Sequence, residues 1–225
     1  MTPDPSVSFK PLILADLDER GFEIRSNEGT PIAYLKLIAA DDLQDDFLIQ
    51  QVTAWRRRYK HCFLSEFEPT CARTKAWMQV AVVKDPARAL FRIVSPDGVL
   101  MGHVGAIHRK TYLEYDYYIL GVKPDVKNFA LCVASQFLLW LLELTKLELT
   151  SGNVRSDNLH GLDFHRRTGF SVYQQVPLKR IDAEQGEVRF EEDRGVTESD
   201  YYLVEIRATT TELLAADFRQ AASKD

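Results

Sequence analysis

Apolar and polar positions recur along the chain with two different spacings, and these predict alternating helices and strands. Strands at 22–25 and 32–38 flank the turn-rich hexamer SNEGTP and are expected to form an opening hairpin. In 41–59 the apolar residues recur every three to four positions, which indicates a helix. The other predicted elements are, in chain order, a helix capped by Thr70 that runs through Trp77 and Val80, strands at 89–95, 99–108 and 112–122, a helix at 128–144, a strand at 147–154, a helix at 157–168, strands at 170–175 and 201–207, and a terminal helix at 210–222.

This order of elements indicates an α/β (α+β) fold in which helices cover a mixed sheet. The stretch 112–154 is a strand, a helix and a strand, and it forms one crossover unit if its strands are parallel. Residues 1–9 look less structured, and the charge-rich stretch 182–200 indicates a long exposed loop with a short strand inside. We divide the chain into an N-terminal extension and hairpin (1–30), a single domain (31–208) and a C-terminal helix (209–225).

The composition narrows the class of protein. With 225 residues, 45% of them hydrophobic, the chain can fill a sizeable core and is not disordered. Its formal net charge of -5 argues against nucleic acid as a partner, because duplex-binding domains carry a basic excess. The most apolar segment, 129–142, falls short of the roughly 20 residues that a membrane span needs, so no membrane partner is expected.

The N-terminus and the cysteines indicate which cellular compartment to expect and whether a metal ion is bound. The first residues lack a basic region followed by an apolar run, so no signal peptide is expected. Three cysteines do not make a disulfide framework, and this fits a reducing, cytoplasmic compartment. His61 lies beside Cys62, and Cys71 follows, but no CxxC or HxxxH spacing accompanies them, so no metal is expected.

Two segments carry candidate chemistry, and the first is the loop from Leu120 to Asn128. Pro124 stops a strand there and a long apolar helix begins. Unpaired N–H groups at a helix start suit an anionic phosphate, and Lys127 adds a positive charge. An ordinary strand-to-helix connection has the same form, so this loop alone leaves both interpretations open.

The second segment runs from Ser156 to Phe170. Ser156 or Asp157 is expected to cap its helix, and Gly169 marks the helix end. His165 lies near that end, where the helix dipole favours the protonated imidazole. A histidine that only pairs with a terminal carbonyl is the alternative.

This second segment resembles the C-terminal motif of the GNAT superfamily of N-acetyltransferases, Asn-x-x-Ala-Ile-x-x-Tyr-x-Lys-x-Gly-Phe. The corresponding residues here, at the same spacing, are Asn158, Gly161, Leu162, His165, Arg167, Gly169 and Phe170. Further matches follow in the family's order in 35–58, in Gly102-His103-Val104-Gly105 and in Leu120-Gly121-Val122-Lys123-Pro124, so that the resemblance covers about 33–207. A weaker similarity, in 62–77 and in Glu114-Tyr115-Asp116, is to acyltransferases of surface-polysaccharide sugar pathways.

The chain departs from the family in the acyl-CoA loop, where the expected glycines are absent from 127–132. Asn128 and Ala130 are the small or permissive residues left. Asn tolerates the left-handed backbone region better than most residues, so the loop is expected either to bind CoA in an altered way or to have lost it.

The resemblance implies a GNAT-like fold, with a mixed, mostly antiparallel sheet, a splayed strand pair and flanking helices, and acetyl-CoA or another acyl-CoA as co-substrate. The backbone N–H near Leu120 would bind the thioester oxygen, and Asn158 would touch the pantetheine arm. The residues implied in cofactor binding are Leu120, Gly121, Val122, Lys127, Asn128, Phe129, Ala130, Leu131 and Asn158.

The same resemblance suggests where the proton transfers occur. Asp116 lies four residues before Leu120, and because even spacing along a strand shares a face, we take it as the preferred base. A solvated or hydrogen-bonded strand carboxylate is the equal alternative. Glu114 is the alternate base, and His165 is the expected proton donor to the thiolate. The further base candidates are His103 and His108, on opposite faces, and the expected acceptor-side residues are Glu66, Arg73, Trp77 and Tyr117.

These observations lead to one function and one alternative. The chain is expected to transfer an acetyl or other acyl group from CoA to a primary amine of a small molecule by direct attack, with an amino sugar as one candidate acceptor. A protein N-terminus and an antibiotic amine are further candidate acceptors, and a homodimer is the candidate assembly. The alternative is a catalytically silent GNAT-like module that binds a metabolite or a partner, because the glycines are lost and His165 replaces a tyrosine.

Overall fold

The computed structural model describes residues 9–183 and 186–216, so the expectations for 1–8 and 217–225 lie outside the described residues. The helices are α1 (Phe9–Asp16), α2 (Asp46–Arg58), α3 (Cys71–Trp77), α4 (Phe129–Thr145), α5 (Leu159–Thr168) and α6 (Thr210–Leu214). The strands are β1 (Phe22–Arg25), β2 (Pro31–Leu37), β3 (Ser65–Glu66), β4 (Arg88–Val94), β5 (Leu100–His108), β6 (Leu113–Leu120), β7 (Leu149–Arg155), β8 (Ser171–Asp182), β9 (Val188–Glu192) and β10 (Tyr201–Thr209).

All ten strands belong to one sheet, in the order β1-β2-β4-β5-β6-β7-β10-β8-β9-β3. Every pairing in the described part of the chain is antiparallel except that of β6 with β7, which confirms the expected crossover through α4. This pair shares only the positions Leu113↔Thr150 and Glu114↔Ser151. Beyond them the two strands separate, so the described structure has the splayed pair that the resemblance implies.

The two faces of the sheet carry separate cores. α1, α4 and α6 lie on one face, where α4 contributes most of its residues because it is apolar all round. α2 and α3 lie on the other face, with Val52, Trp55 and Met78 buried against Leu90 and Ile119 of the sheet. The strands are therefore covered on both sides, as a mixed sheet in a single domain requires.

The predicted elements are confirmed in order, although the strand predicted at 170–175 extends to Asp182 and the helix predicted at 210–222 ends at Leu214. Three further differences concern other parts of the chain. The N-terminal stretch contains α1, which the sequence did not predict because the apolar run is short and contains Pro11. The predicted helix 41–59 is a 3-10 turn, Asp41–Gln44, followed by α2, whose first turn is capped by the Asp45 side chain. Much of 182–200 is ordered by pairing, because β9 pairs with both β8 and β3. Among the described residues no helix is long and apolar enough to cross a membrane.

Candidate functional site

A cleft of about 470 Å³ opens where β6 and β7 separate. It runs from the first turn of α4, at Ala130, between the strands and along α5 to the segment 59–65. Because β6 and β7 do not pair here, backbone groups of both strands face the cleft. The cleft could therefore hold an elongated molecule that hydrogen-bonds to strand backbone.

The first turn of α4 offers amide donors to this cleft. Asn128 adopts the left-handed conformation, with φ 58°, so it takes the backbone role for which glycine is usual. Among the described residues, the amides of Ala130 and Leu131 have no acceptor, because the first helical bond runs from Cys132 N to Asn128 O. Such orphan amides suit an anion.

Two cations flank this turn. Lys127 is exposed, and Arg167 Nη2 lies 3.4 Å from Asn128 Oδ1. Phe129 and Leu131 bury their side chains in the core, so they present backbone groups alone. Arg167 belongs to the C-terminal motif, but no pattern in the sequence indicates that it lies beside Asn128.

At the end of β6, the backbone amide of Leu120 points in a different direction from the amides of Gly121 and Val122. The amides of Gly121 and Val122 both donate to Met101 O, at 2.8 and 3.1 Å. Since alternate residues of a strand direct their amides to opposite sides, the Leu120 amide faces the gap, where the Tyr59 hydroxyl donates to Leu120 O. Leu120 lines the cleft, whereas Gly121 and Val122 are not among its lining residues.

Gly121 has a packing role instead. A Cβ at this position would lie 1.8 Å from the Trp55 indole ring. No side chain fits there unless the ring moves, so glycine lets Trp55 close over the strand end.

Asp116 combines burial with an altered pKa. Its side chain is 15% exposed, and its Oδ2 lies 3.4 Å from Arg88 Nε. Burial raises the pKa of this carboxyl to about 7, and the positive charge of Arg88 opposes that shift. A carboxyl with this pKa exchanges a proton near neutral pH, which suits a general base.

The sequence argument that Asp116 and Leu120 share a face is wrong. Tyr117 has φ 47°, and two residues of β6, Tyr117 and Tyr118, oppose Val104 in a β-bulge. Tyr117 and Ile119 therefore lie on the α2 side with Asp116 and Arg88, whereas Leu120 packs on the α4 side. The bulge thus places the carboxyl and the Leu120 side chain on opposite faces at the point where the strands part.

Three further base candidates occupy different surroundings. Glu114 lies at the closed end of the cleft and pairs with Arg109 at 2.6 Å. His108 packs on Phe9 and is not among the residues that line the cleft. His103 is buried, its Nδ1 lies 2.8 Å from Tyr117 O, and burial lowers its pKa to about 4. His103 is therefore neutral at pH 7 and fixes the bulge.

His165 reaches the cleft but is not protonated as the sequence predicted. Its ring lies among Tyr115, Phe164 and Phe170, and its Nδ1 has no hydrogen-bond partner among the described residues. Burial lowers its pKa to about 4. Loss of solvation outweighs the helix-end dipole here, so the imidazole is neutral at pH 7.

Asn158 caps α5, which corrects the expectation that Ser156 or Asp157 would do so. Its Oδ1 accepts from Gly161 N at 3.0 Å. A Cβ at position 161 would lie 2.6 Å from the Asn158 side-chain nitrogen, so Gly161 leaves room for this cap. Asn158 also lines the cleft.

A second cavity, of about 290 Å³, lies between the sheet, α2 and α3. It contains three of the predicted acceptor-side residues, Arg73, Trp77 and Tyr117. It meets the cleft at the residues Ser65, Tyr117 and Ile119, which line both spaces. Molecules in the two spaces would meet beside the bulge.

The fourth predicted acceptor-side residue, Glu66, lines neither space and instead contacts Arg155 at 2.7 Å. Arg155 is a buried residue at the end of β7 that the sequence did not single out. It also binds Asp157, Phe63 O at 3.1 Å and His61 O. This set of contacts, the Arg155 cluster, fixes the segment 61–66 over the cleft.

The described residues contain no group of three or more His, Cys, Asp and Glu side chains that could hold a metal ion. Cys62 lies at the cleft, where burial raises the pKa of its thiol. The donor groups of the cleft are backbone amides and cations, which fit a phosphorylated ligand with an amide-bearing arm.

Comparisons with known proteins bear on the fold that carries this site. A scan of protein-family models and a search of curated proteins found no match. Among solved structures, the chain is similar to spermidine N-acetyltransferase from Vibrio cholerae in complex with CoA and spermine, with a TM-score of 0.58, 14% identity, and coverage of 81% of this chain and 98% of that one. It is also similar to the dodecameric structure of that organism's enzyme in an intermediate state, with a TM-score of 0.55, 13% identity and coverage of 82% and 98%.

A third similar structure is the Vibrio cholerae spermidine/spermine N-acetyltransferase in complex with manganese ions, with a TM-score of 0.54, 14% identity and coverage of 85% and 98%. The match covers nearly the whole length of each neighbour. Because the sequence identity is low, the similarity is evidence for the fold alone. The chain therefore has the GNAT-like fold of these N-acetyltransferases, as the sequence motifs predicted.

Proposed function

We propose that the chain is an acyl-CoA-dependent N-acyltransferase that acetylates, or otherwise acylates, a primary amine of a small molecule. The observation that carries this proposal is the cleft between β6 and β7. It joins orphan amides at the start of α4 to a second cavity beside the bulge. A donor with a phosphate end and an acyl end fits the first space, and an amine fits the second.

Bound acyl-CoA supplies an activated acyl group, and the residues of the chain position it. The Ala130 and Leu131 amides, with Lys127 and Arg167 beside them, hold the pyrophosphate. The Leu120 amide donates to the thioester oxygen and stabilises the negative charge that develops there.

Asp116 removes the proton that the attacking amine must lose. In its ionised form it accepts this proton directly or through one water. Neutral His165 donates a hydrogen bond toward the leaving sulfur, which stabilises the thiolate without an imidazolium.

The acceptor is the open part of the proposal. The weaker sequence similarity suggests an amino sugar, whereas the solved neighbours are named for spermidine and spermine. A homodimer and a cytoplasmic location stay predictions, and the dodecamer is a property of the neighbour.

The test is acyl transfer itself. Purified protein is incubated with acetyl-CoA and single amines, among them glucosamine, spermidine and free amino acids, and release of the CoA thiol is followed together with the mass of the product. We expect thiol release that depends on one class of amine. CoA binding without transfer to any amine would instead support the silent binding module.

A further inference from the structure

We infer that the amine acceptor carries a carboxylate and an apolar body, as in an apolar or aromatic amino acid. This deepens the proposed function and rests on it. The second cavity is lined by the cationic residues Arg56 and Arg73 and by aromatic and aliphatic side chains, with no carboxylate among its described lining residues. Its charge therefore suits an anionic group on the acceptor, in contrast to a polyamine.

Arg56 is the cation that such a group would meet. Its guanidinium donates to Ser65 O at 2.6 Å and to Lys60 O at 3.4 Å, and it lies over the rings of Phe63 and Phe67. Within the described residues no carboxylate lies within 4.0 Å of it, and Glu66, which acts on it at longer range, is held by Arg155. Burial lowers the pKa of Arg56, as expected for a cation without an adjacent anion.

Arg73 is already neutralised. Its Nη1 contacts Glu187 at 2.8 Å, and its guanidinium lies over the Phe67 ring at 4.0 Å. The two arginines therefore leave one charge without a close partner. One carboxylate matches that charge, and the planar guanidinium can bind its two oxygens together.

The rest of the second cavity fits an apolar body. Phe67, Trp77 and Tyr117 contribute aromatic rings to its lining, and Val52 and Ile119 contribute aliphatic groups. His103, at its base, is neutral at pH 7 and adds no charge. Beyond the amine that faces Asp116, the further ammonium groups of a polyamine would meet the charge of Arg56 and no carboxylate among the described residues that line the second cavity, which is unfavourable for buried charge.

The experiment compares amines that differ only in the carboxylate. Apolar and aromatic amino acids are each paired with their carboxamide and their decarboxylated amine, and binding by calorimetry and kcat/KM for acetyl transfer are measured, with spermidine alongside. We expect at least one amino acid to bind and react about 10- to 100-fold better than both of its partners, the size of one charge-assisted hydrogen bond.

The variant Arg56→Met should remove this preference while acetyl-CoA still binds, and Arg56→Lys, which keeps the charge, should restore part of it. The matched control is Arg57→Met on the same helix, because Arg57 pairs with Glu68 at the surface, outside the second cavity. It should keep the full preference.

Two results overturn the inference and are distinguishable. Equal or better acetyl transfer to carboxamides, decarboxylated amines or spermidine would reject the inference that the acceptor carries a carboxylate. The proposed acyl-transfer function would still stand. Absence of both CoA binding and transfer to any amine rejects the proposed function and the inference together.

Discussion

At the scale of single residues, the chemistry depends on Asp116 and on the bulge that follows it. The bulge at Tyr117 keeps the buried carboxyl on the α2 side while it opens the strand toward the cleft. A carboxyl with a pKa of about 7 is half ionised at neutral pH, so its role is visible in a pH profile.

The first prediction concerns this carboxyl. Asp116→Asn should lower kcat about 10²- to 10⁴-fold, the usual contribution of a general base, with little change in acetyl-CoA binding. In the unaltered protein kcat/KM should rise with pH through about 7, because only the ionised carboxyl accepts a proton.

Glu114→Gln is the matched control, since Glu114 lies on the same strand and pairs with Arg109. It should retain most of the activity and the rise near pH 7. If Glu114→Gln is inactive and Asp116→Asn is active, Glu114 is the base.

The second prediction concerns Gly121. Gly121→Ala should lower the free energy of unfolding by about 1–3 kcal/mol, because its Cβ would overlap the Trp55 ring. Urea denaturation measures this change. Gly195→Ala is the control, as its Cβ would meet only Asp193 Oδ1 at 3.4 Å, and a change there within about 0.5 kcal/mol is expected. Equal effects at the two positions would contradict the packing role of Gly121.

At the scale of elements, the Arg155 cluster joins β7 to the segment 61–66. The side chain of Arg155 is 5% exposed and satisfies two carboxylates and two carbonyls. Removal of a buried cation leaves its partners without compensation, which costs far more than the loss of a surface ion pair.

The third prediction follows from this cluster. Arg155→Met should destabilise the protein by about 3 kcal/mol and raise the KM for acetyl-CoA, because the segment over the cleft is released. Arg194→Met breaks an exposed pair with Glu192 and should cost less than about 0.5 kcal/mol. Thermal and urea unfolding of both variants measure the loss in the free energy of unfolding. Similar losses in the two variants would show that the Arg155 cluster contributes no more stability than an exposed ion pair.

The elements were largely predictable from the sequence, because hydrophobic spacing reports which face of a helix or strand is buried. The left-handed Asn128 was also predictable from residue type. The bulge at Tyr117 was not, since a non-glycine residue there gives no local signal. The basic run Arg56-Arg57-Arg58 by itself predicts a solvated helix end, whereas the helical spacing of Arg56 from Val52 (i, i+4) places it on the buried face.

At the scale of the whole molecule, buried ionisable groups couple stability to pH in opposite senses. His103 has a folded-state pKa of about 4, below the ordinary value near 6.5, so the unfolded chain takes up a proton first as the pH falls. Its contribution to stability is present above pH 6.5 and is lost between 6.5 and 4. Asp116, whose pKa is raised, gains its proton first in the folded state and opposes this loss between about 7 and 4.

The fourth prediction follows from the opposite effects of His103 and Asp116 on stability as the pH falls. His103→Asn, which keeps a donor for Tyr117 O, should flatten the fall of Tm between pH 6.5 and 4, and Asp116→Asn should steepen it. The exposed His160, changed to Asn, is the control and should leave the curve as it was. A curve that His103→Asn leaves unchanged would contradict the neutral, buried state of this histidine.

The central claim is that the cleft between β6 and β7 binds acyl-CoA through the start of α4. Calorimetric titration of the protein with acetyl-CoA, with desulfo-CoA and ATP for comparison, tests it most directly. Lys127→Glu and Arg167→Glu reverse charge beside Asn128, whereas Lys110→Glu, the control, makes the same change in the exposed β5–β6 turn. We predict micromolar binding of acetyl-CoA that weakens in the first two variants and not in the third; no binding at millimolar acetyl-CoA would contradict the account.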